Sequence, residues 1–276
     1  MPELPEVETI RLTLQPKLIG RTIVKGVVLL PKLIQNQTVD EFLFDIHGKK
    51  IIKLDRRGKY LLFYLEGRTR ADMVLAIHLR MTGQLKVELI GNPLENATYL
   101  QLQLDNGKEL RYRDQRKFGR VMLFPVDHPP KSLEKLGPEP LSDDFTIQVL
   151  KKQLGKRQIA IKKVLLDQEV IAGIGNIYAD ESLFLAGIHP ARLVSSLSDQ
   201  EINQLFKAIQ TVLSEAIQNH GTTKRDYRDG DGHSGSNQDY LRVYDRKGLA
   251  CYNCGNMIVK MNFGGRGTHF CPICQQ

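Results

Sequence analysis

The chain has 276 residues, 41% hydrophobic and 25% charged, an ordinary composition for a globular protein that excludes collagen, coiled coil and wholesale disorder. Its net charge is +8, from 39 Lys+Arg against 31 Asp+Glu. No apolar run approaches the ~18–20 residues of a membrane span, and the N-terminus opens on Glu3 and Glu6 rather than a basic signal region, so a cytoplasmic location, no membrane contact and reduced cysteines are expected.

A first helix is expected where Pro5 suits the first turn and Val7, Ile10 and Leu14 share one face. Short apolar or β-branched runs follow at 22–30, 49–54, 60–65, 73–79, 85–89, 99–104, 109–113 and 121–124. Turn signals such as Arg57-Gly58 and Asp105-Asn106-Gly107 separate them. Eight such strands predict a β-sandwich or flattened barrel. Residues 1–135 hold 23 basic against 16 acidic residues, +7 of the total charge. Six basic side chains and two aromatics lie between Lys108 and Arg120, a combination suited to phosphates and stacked bases.

Pro125, Pro129, Pro130, Pro138 and Pro140 place a linker at 126–142, because proline sustains neither a helix nor a central strand. Beyond it the pattern is helical. Segments 159–166 and 176–185 read as short helices, and Ser198-Asp199-Gln200-Glu201 is a capping box opening a helix through Ile217. Segment 221–237 is polar and glycine-rich, which predicts a mobile loop. The expected fold class is therefore α+β in two domains: a β-sandwich with a leading helix (1–125), the linker, a helical domain (143–247) and a β-hairpin ribbon (248–276).

That ribbon carries Cys251, Cys254, Cys271 and Cys274 in the spacing C-x2-C-x16-C-x2-C. Each pair puts two thiolates on one tight turn, and two turns supply a tetrahedral S4 site for one structural Zn2+. Four protein ligands leave no open position for water. The metal also holds together a piece too small for its own core. Between the pairs, Phe263-Gly264-Gly265-Arg266-Gly267-Thr268 reads as a hairpin tip lifting one arginine toward a phosphate.

The start Pro2-Glu3-Leu4-Pro5-Glu6-Val7-Glu8-Thr9, taken with this ribbon and its Gly265-Arg266-Gly267-Thr268-His269, closely resembles formamidopyrimidine-DNA glycosylase. These bacterial enzymes excise oxidised purines, and the resemblance spans nearly the whole chain. Its chemistry suits the residues. Removal of Met1 frees the secondary amine of Pro2. An α-amine has a pKa near ~8, below the ~10.4 of lysine, so part of it is unprotonated at neutral pH and can attack the sugar carbon that holds the damaged base. The resulting iminium acidifies a neighbouring C–H, and a phosphate leaves by elimination. By the resemblance, Glu3 is the general acid/base and Glu6 a supporting carboxylate.

Other positions carry roles by the same resemblance. Lys59, in Arg56-Arg57-Gly58-Lys59-Tyr60, reaches the active site and acts in β-elimination. Met81, in His78-Leu79-Arg80-Met81-Thr82-Gly83, and Arg116 and Phe118, in Asp114-Gln115-Arg116-Lys117-Phe118-Gly119, fill the hole left by an everted base. Asn176, in the helix–two-turn–helix segment Ile171-Ala172-Gly173-Ile174-Gly175-Asn176, and Lys162 contact DNA. Arg266 binds phosphate and serves the δ-elimination. The implied partner is duplex DNA with an oxidised base or abasic site, lying between the two domains and bound by a monomer in the bacterial cytoplasm. Two departures stand out: the segment Glu95-Asn96-Ala97-Thr98-Tyr99 lacks the family's frequent histidines, and loop 221–237 is unusually acidic. The rival readings are an endonuclease VIII-like glycosylase for oxidised pyrimidines and a non-catalytic zinc-ribbon DNA-binding protein.

Overall fold

The structure is a computed structural model that describes residues 1–66, 73–155 and 157–276. It divides into two compact units, the first of residues 1–134 and 220–236, the second of 135–219 and 237–276.

The first unit opens with helix α1 (Leu4–Leu18) and continues through β1 (Ile23–Val28), β2 (Ile34–Gln35), α2 (Val39–Ile46), β3 (Lys50–Arg57), β4 (Tyr60–Glu66), β5 (Met73–His78), β6 (Gly83–Leu89), β7 (Thr98–Leu104), β8 (Lys108–Asp114), β9 (Arg120–Pro125) and the one-turn α3 (Lys131–Glu134). All eight expected strands form. They make two sheets, of order β1-β7-β8-β6 and β2-β9-β5-β4-β3. Alternate residues of both, among them Leu85, Leu102, Leu110 and Tyr112 from one and Leu54, Phe63, Leu75 and Leu123 from the other, share one core with Val7, Ile10 and Leu14 of α1. That shared core makes the unit a sandwich closed by the leading helix.

In this unit β2, α2 and α3 lie outside the sequence expectation. Helix α2 is capped by Thr38, whose hydroxyl accepts from Glu41 N while the Glu41 carboxylate accepts from Thr38 N. The expected linker is also partly structured. Its second half packs in the second unit, where Gly137 N donates to Gln168 O and Ala172 N donates to Pro138 O.

The second unit comprises α4 (Ile147–Leu154), α5 (Ile161–Leu166), α6 (Asn176–Leu185), α7 (Asp199–Gln218), β10 (Val259–Phe263) and β11 (Arg266–Phe270). The capping box at Ser198 and Glu201 opens α7 as expected. Helix α4, capped by Thr146, was not expected. The cysteine ribbon is not a free appendage: Phe184 of α6 packs with Val243, Cys251, Ile258 and Cys271 in one small core.

The loop expected to be mobile at 221–237 belongs to the first unit as segment 220–236. Tyr227 is buried in the sandwich core and its hydroxyl donates to His220 O. Gly230 N donates to Thr13 Oγ1 at 2.9 Å, and Lys17 Nζ donates to Gly230 O and pairs with Asp231. The acidity expected of this loop is balanced within it, since Asp226, Asp229 and Asp231 face an equal number of basic residues in Lys224, Arg225 and Arg228, and Lys17 adds a further cation at Asp231.

Candidate active site and nucleic-acid interface

The expected site residues fall into two sets, one in each unit. In the first, Pro2 is buried directly ahead of α1. Glu3 is the helix N-cap, and a reciprocal capping box links its side chain to the Glu6 backbone. Glu6 Oε2 accepts from Glu3 N at 2.7 Å and Glu6 Oε1 accepts from Thr222 N at 2.8 Å. Both carboxylates are almost sealed from solvent, Glu3 at 3% exposure and Glu6 at 1%. The Glu6 carboxylate therefore joins the backbone beside Pro2 to the base of segment 220–236.

While Met1 is attached, the Pro2 nitrogen belongs to an amide and has no nucleophilic lone pair. Met1, whose removal would free the Pro2 amine, is 47% exposed.

Lys59 is buried within the β3–β4 turn. That turn is fastened to α1, since Arg56 Nε donates to Glu8 Oε2 at 3.0 Å and Arg56 Nη1 donates to Gly58 O at 3.1 Å. Arg11 completes the network on Glu8 at 2.6 Å. Burial pushes the Glu8 carboxyl up, but hydrogen bonds and charge from Arg11 and Arg56 outweigh it and hold the group below its ordinary range. Sequence reading missed Glu8 and Arg56 as the link between the lysine turn and the helix behind Pro2.

His78 ends β5, opposite Tyr60 of β4 and Arg120 of β9. Burial, aided by the charges of Arg80, Lys59 and Arg120, pushes its pKa down to about 3, so the ring is neutral at physiological pH. Its Nδ1 accepts from Arg80 N at 3.0 Å, which leaves the proton on Nε2.

The two loops expected to probe DNA lie side by side. The chain passes from the five-stranded sheet to the four-stranded one between β5 and β6, and returns between β8 and β9. Register fixes their neighbourhood, because Gly83 faces Asp114 while His78 faces Arg120. Met81 is 39% exposed and Phe118 51%, unusual for large apolar side chains on tight turns. Arg116 lies between them: Nη1 is 2.9 Å from Met81 Sδ and the guanidinium stands 4.9 Å from the Phe118 ring centre. The histidine-free segment before β7 is held by backbone contacts, with Arg113 Nε donating to Asn96 O and Arg111 donating to Asn92 O and Pro93 O.

In the second unit, β10 and β11 form the expected hairpin, with Phe263 opposite Arg266 across Gly264-Gly265. Both glycines have positive φ, 59° and 74°, which a two-residue hairpin turn requires. Arg266 is exposed at this tip. Asn176, the first residue of α6, donates through Nδ2 to Gly267 O at 2.9 Å, beside that arginine.

Lys162 departs from its expected direct role on DNA. It is 0% exposed. Its ammonium is 2.5 Å from Asp180 Oδ1 and 2.7 Å from Thr268 Oγ1. Asp180 Oδ2 in turn accepts from His269 N at 2.9 Å. A buried charge needs such a partner, and here the pair pins the strand carrying Arg266 to α5 and α6. Asp180, which sequence reading passed over, is the other half of this anchor.

The cysteines converge. Their four sulfurs all lie within 4.8 Å of one another. Cys251 and Cys274 are 3.8 Å apart and Cys254 and Cys271 3.5 Å apart. A tetrahedron with Zn–S bonds of about 2.3 Å has edges of about 3.8 Å, so the set fits one structural zinc.

The chain matches three families in succession: the formamidopyrimidine-DNA glycosylase N-terminal domain over residues 1–121, the formamidopyrimidine-DNA glycosylase H2TH domain over 136–227, and a zinc finger found in FPG and IleRS over 248–276. It is 49% identical to a formamidopyrimidine-DNA glycosylase of Pelotomaculum thermopropionicum, covering 100% of this chain and 99% of the relative. Among solved structures it is similar to a Lactococcus lactis FPG mutant in complex with Fapy-dG-containing DNA, with TM-score 0.91, 37% identity and full coverage of both chains. It is also similar to the wild-type L. lactis FPG in complex with DNA containing an oxidised pyrimidine, with TM-score 0.90, 36% identity and full coverage. Among the described residues, no helix is long and apolar enough to cross a membrane.

Proposed function

This chain belongs to the formamidopyrimidine-DNA glycosylase family, and from that premise we propose that it opens base excision with the α-amine of Pro2 and closes it by cutting the abasic strand. It is a base-excision-repair glycosylase for oxidised purines in duplex DNA. The observation that carries the mechanism is Pro2 itself, buried at the mouth of α1 with Glu3 as the next residue and Glu6 clasping the backbone between them.

After Met1 is removed, the neutral Pro2 amine attacks the sugar carbon and the C–N bond to the damaged base breaks. Glu3 delivers the proton that the leaving base or opening sugar oxygen takes up. Ring opening leaves an iminium between Pro2 and the deoxyribose. Loss of a proton from the adjacent carbon expels the 3′ phosphate, and a second elimination expels the 5′ phosphate. Lys59 serves the first elimination; Arg266 holds phosphate and serves the second. Asn176 adds a phosphate contact beside Arg266, and Lys162 supports both through the hairpin. The reaction takes place in the bacterial cytoplasm, where the DNA is.

Eversion precedes chemistry, and unstacking a base costs a few kcal/mol. Phe118 and Met81 replace lost stacking, and Arg116 hydrogen-bonds the orphaned base. Phe118→Ala should therefore slow excision of 8-oxoguanine from an intact duplex about 10-fold more than it slows cleavage at a ready-made abasic site, where no base is everted. Arg116→Ala should flatten discrimination between C and A opposite the lesion, because base-edge contacts carry about 1–3 kcal/mol. Single-turnover cleavage of matched duplexes measures both. Equal losses on every substrate would reduce the two residues to general DNA binding.

The oxidised-pyrimidine complex of the L. lactis neighbour gives the pyrimidine reading a specific footing. A thymine glycol duplex in the same assay separates the two: faster turnover of 8-oxoguanine opposite C supports the purine reading, and faster turnover of thymine glycol overturns it.

A further inference from the structure

Asp114 is 1% exposed, yet its carboxylate receives five donors. Oδ1 accepts from the Thr82 hydroxyl and from Arg116 N at 3.2 Å. Oδ2 accepts from the Tyr112 hydroxyl at 3.2 Å and from Phe118 N and Gly119 N, each at 2.8 Å. Three of these donors are backbone N–H groups of the second probing loop. A fourth, Thr82, lies on the first loop next to Met81. The Thr82 oxygen also accepts from Arg116 N at 3.0 Å, so hydroxyl and carboxylate share one amide between the two loops.

We propose that Asp114 is the positioning residue that locks both loops into one geometry, so that Met81, Arg116 and Phe118 enter the duplex as a single preformed wedge. The inference rests on the base-everting reading of those three residues and adds the group that sets their spacing. A buried carboxylate is stable only when its lone pairs are satisfied, and here nearly all the satisfaction comes from loop groups. The loops and the carboxylate therefore specify one another. Lys117, at φ +57°, takes a left-handed conformation between Arg116 and Phe118 and turns the chain back over the carboxylate.

The neighbouring glycines fit the same device. A Cβ at Gly119 would stand 1.7 Å from the Tyr112 hydroxyl, and one at Gly83 would stand 2.7 Å from it. The Tyr112 ring thus occupies the space between the two loop ends. Burial and the adjacent carboxylate push its phenol pKa up, which keeps it a donor to Asp114. A rigid wedge suits eversion, since a loop that must order itself on entering the stack spends entropy there.

The test compares Asp114→Asn with Thr82→Val. The asparagine keeps the shape but sets an NH2 against the loop amides if it faces Phe118 and Gly119. The valine removes only the bridging hydroxyl and is the milder variant. Each is measured by thermal melting, single-turnover excision of 8-oxoguanine opposite C and opposite A, and cleavage at a ready-made abasic site. In Asp114→Asn, the loss on the intact lesion duplex should exceed the loss at the abasic site by about 10-fold or more, and the preference for C over A should fall toward one. Thr82→Val should move both ratios the same way by about threefold. If both variants lose equally on both substrates and keep the C-over-A ratio, Asp114 is a folding residue and the proposal is overturned. If Asp114→Asn does not fold, the two ratios of Thr82→Val decide alone. A wild-type chain that leaves 8-oxoguanine uncut defeats the glycosylase reading instead, so the two failures are distinguishable.

Discussion

Blocking the Pro2 nitrogen should abolish base excision, with a loss of about 10³-fold or more, because a covalent route without its nucleophile retains only binding and electrostatic assistance. A chain that keeps one extra residue ahead of Pro2 is the simplest form of the block, since it turns the amine into an amide while α1 and its capping box stay in place. DNA affinity should change by no more than a few-fold. Pro2→Gly is the companion variant: it retains an α-amine and should keep part of the activity, at a rate limited by a primary amine and a looser backbone. Full excision by the blocked chain would remove Pro2 from the chemistry.

Withdrawing the metal should have the second-largest effect. Structural zinc is worth about 10–16 kcal/mol in small zinc-held peptides, more than a 29-residue ribbon can recover from its own core. Chelation, or Cys254→Ser, should release about one zinc per chain and remove hydrogen-exchange protection from β10 and β11. DNA affinity should fall at least about 10-fold, because Arg266 stands at the tip of that hairpin and each lost phosphate contact also lessens counterion release. The first unit, with its own sandwich core, should stay folded. A metal-free chain that binds and cuts DNA normally would show that the ribbon has no part in either step.

Much of this was legible in the chain because it is written locally. Strand runs, the proline cluster, the Ser198–Glu201 capping box and the cysteine spacing each depend on residues close in sequence. Helix α2 is as legible in principle, since Thr38 and Glu41 are also a capping box, but its eight residues lie among strand signals that dominate the local pattern. Helix α4 carries a weaker signal, a Thr146 cap without a capping box on eight residues close behind the proline cluster. The first-unit site was legible by residue type but not by linkage. The sequence places Glu6 near Pro2, but the bond from Thr222 spans 216 positions and exists only once segment 220–236 folds back.

Lys162 shows the limit most plainly. The family resemblance implies a DNA contact at Lys162, and only tertiary packing seals it against Asp180 and Thr268. Asp114 is the converse. It reads as one acid in the most basic stretch of the chain, and its role emerges only when sheet register sets it opposite Gly83 and brings Thr82 alongside.

Borohydride trapping on an 8-oxoguanine duplex, followed by mass-spectrometric mapping of the adduct, tests the covalent role of Pro2 most directly. Reduction of the iminium freezes the protein–DNA bond wherever it forms. The adduct should lie on an N-terminal peptide that starts at Pro2, with Met1 absent, and should vanish in the blocked chain. An adduct on Lys59, or excision of 8-oxoguanine with no trapped species at all, would contradict it.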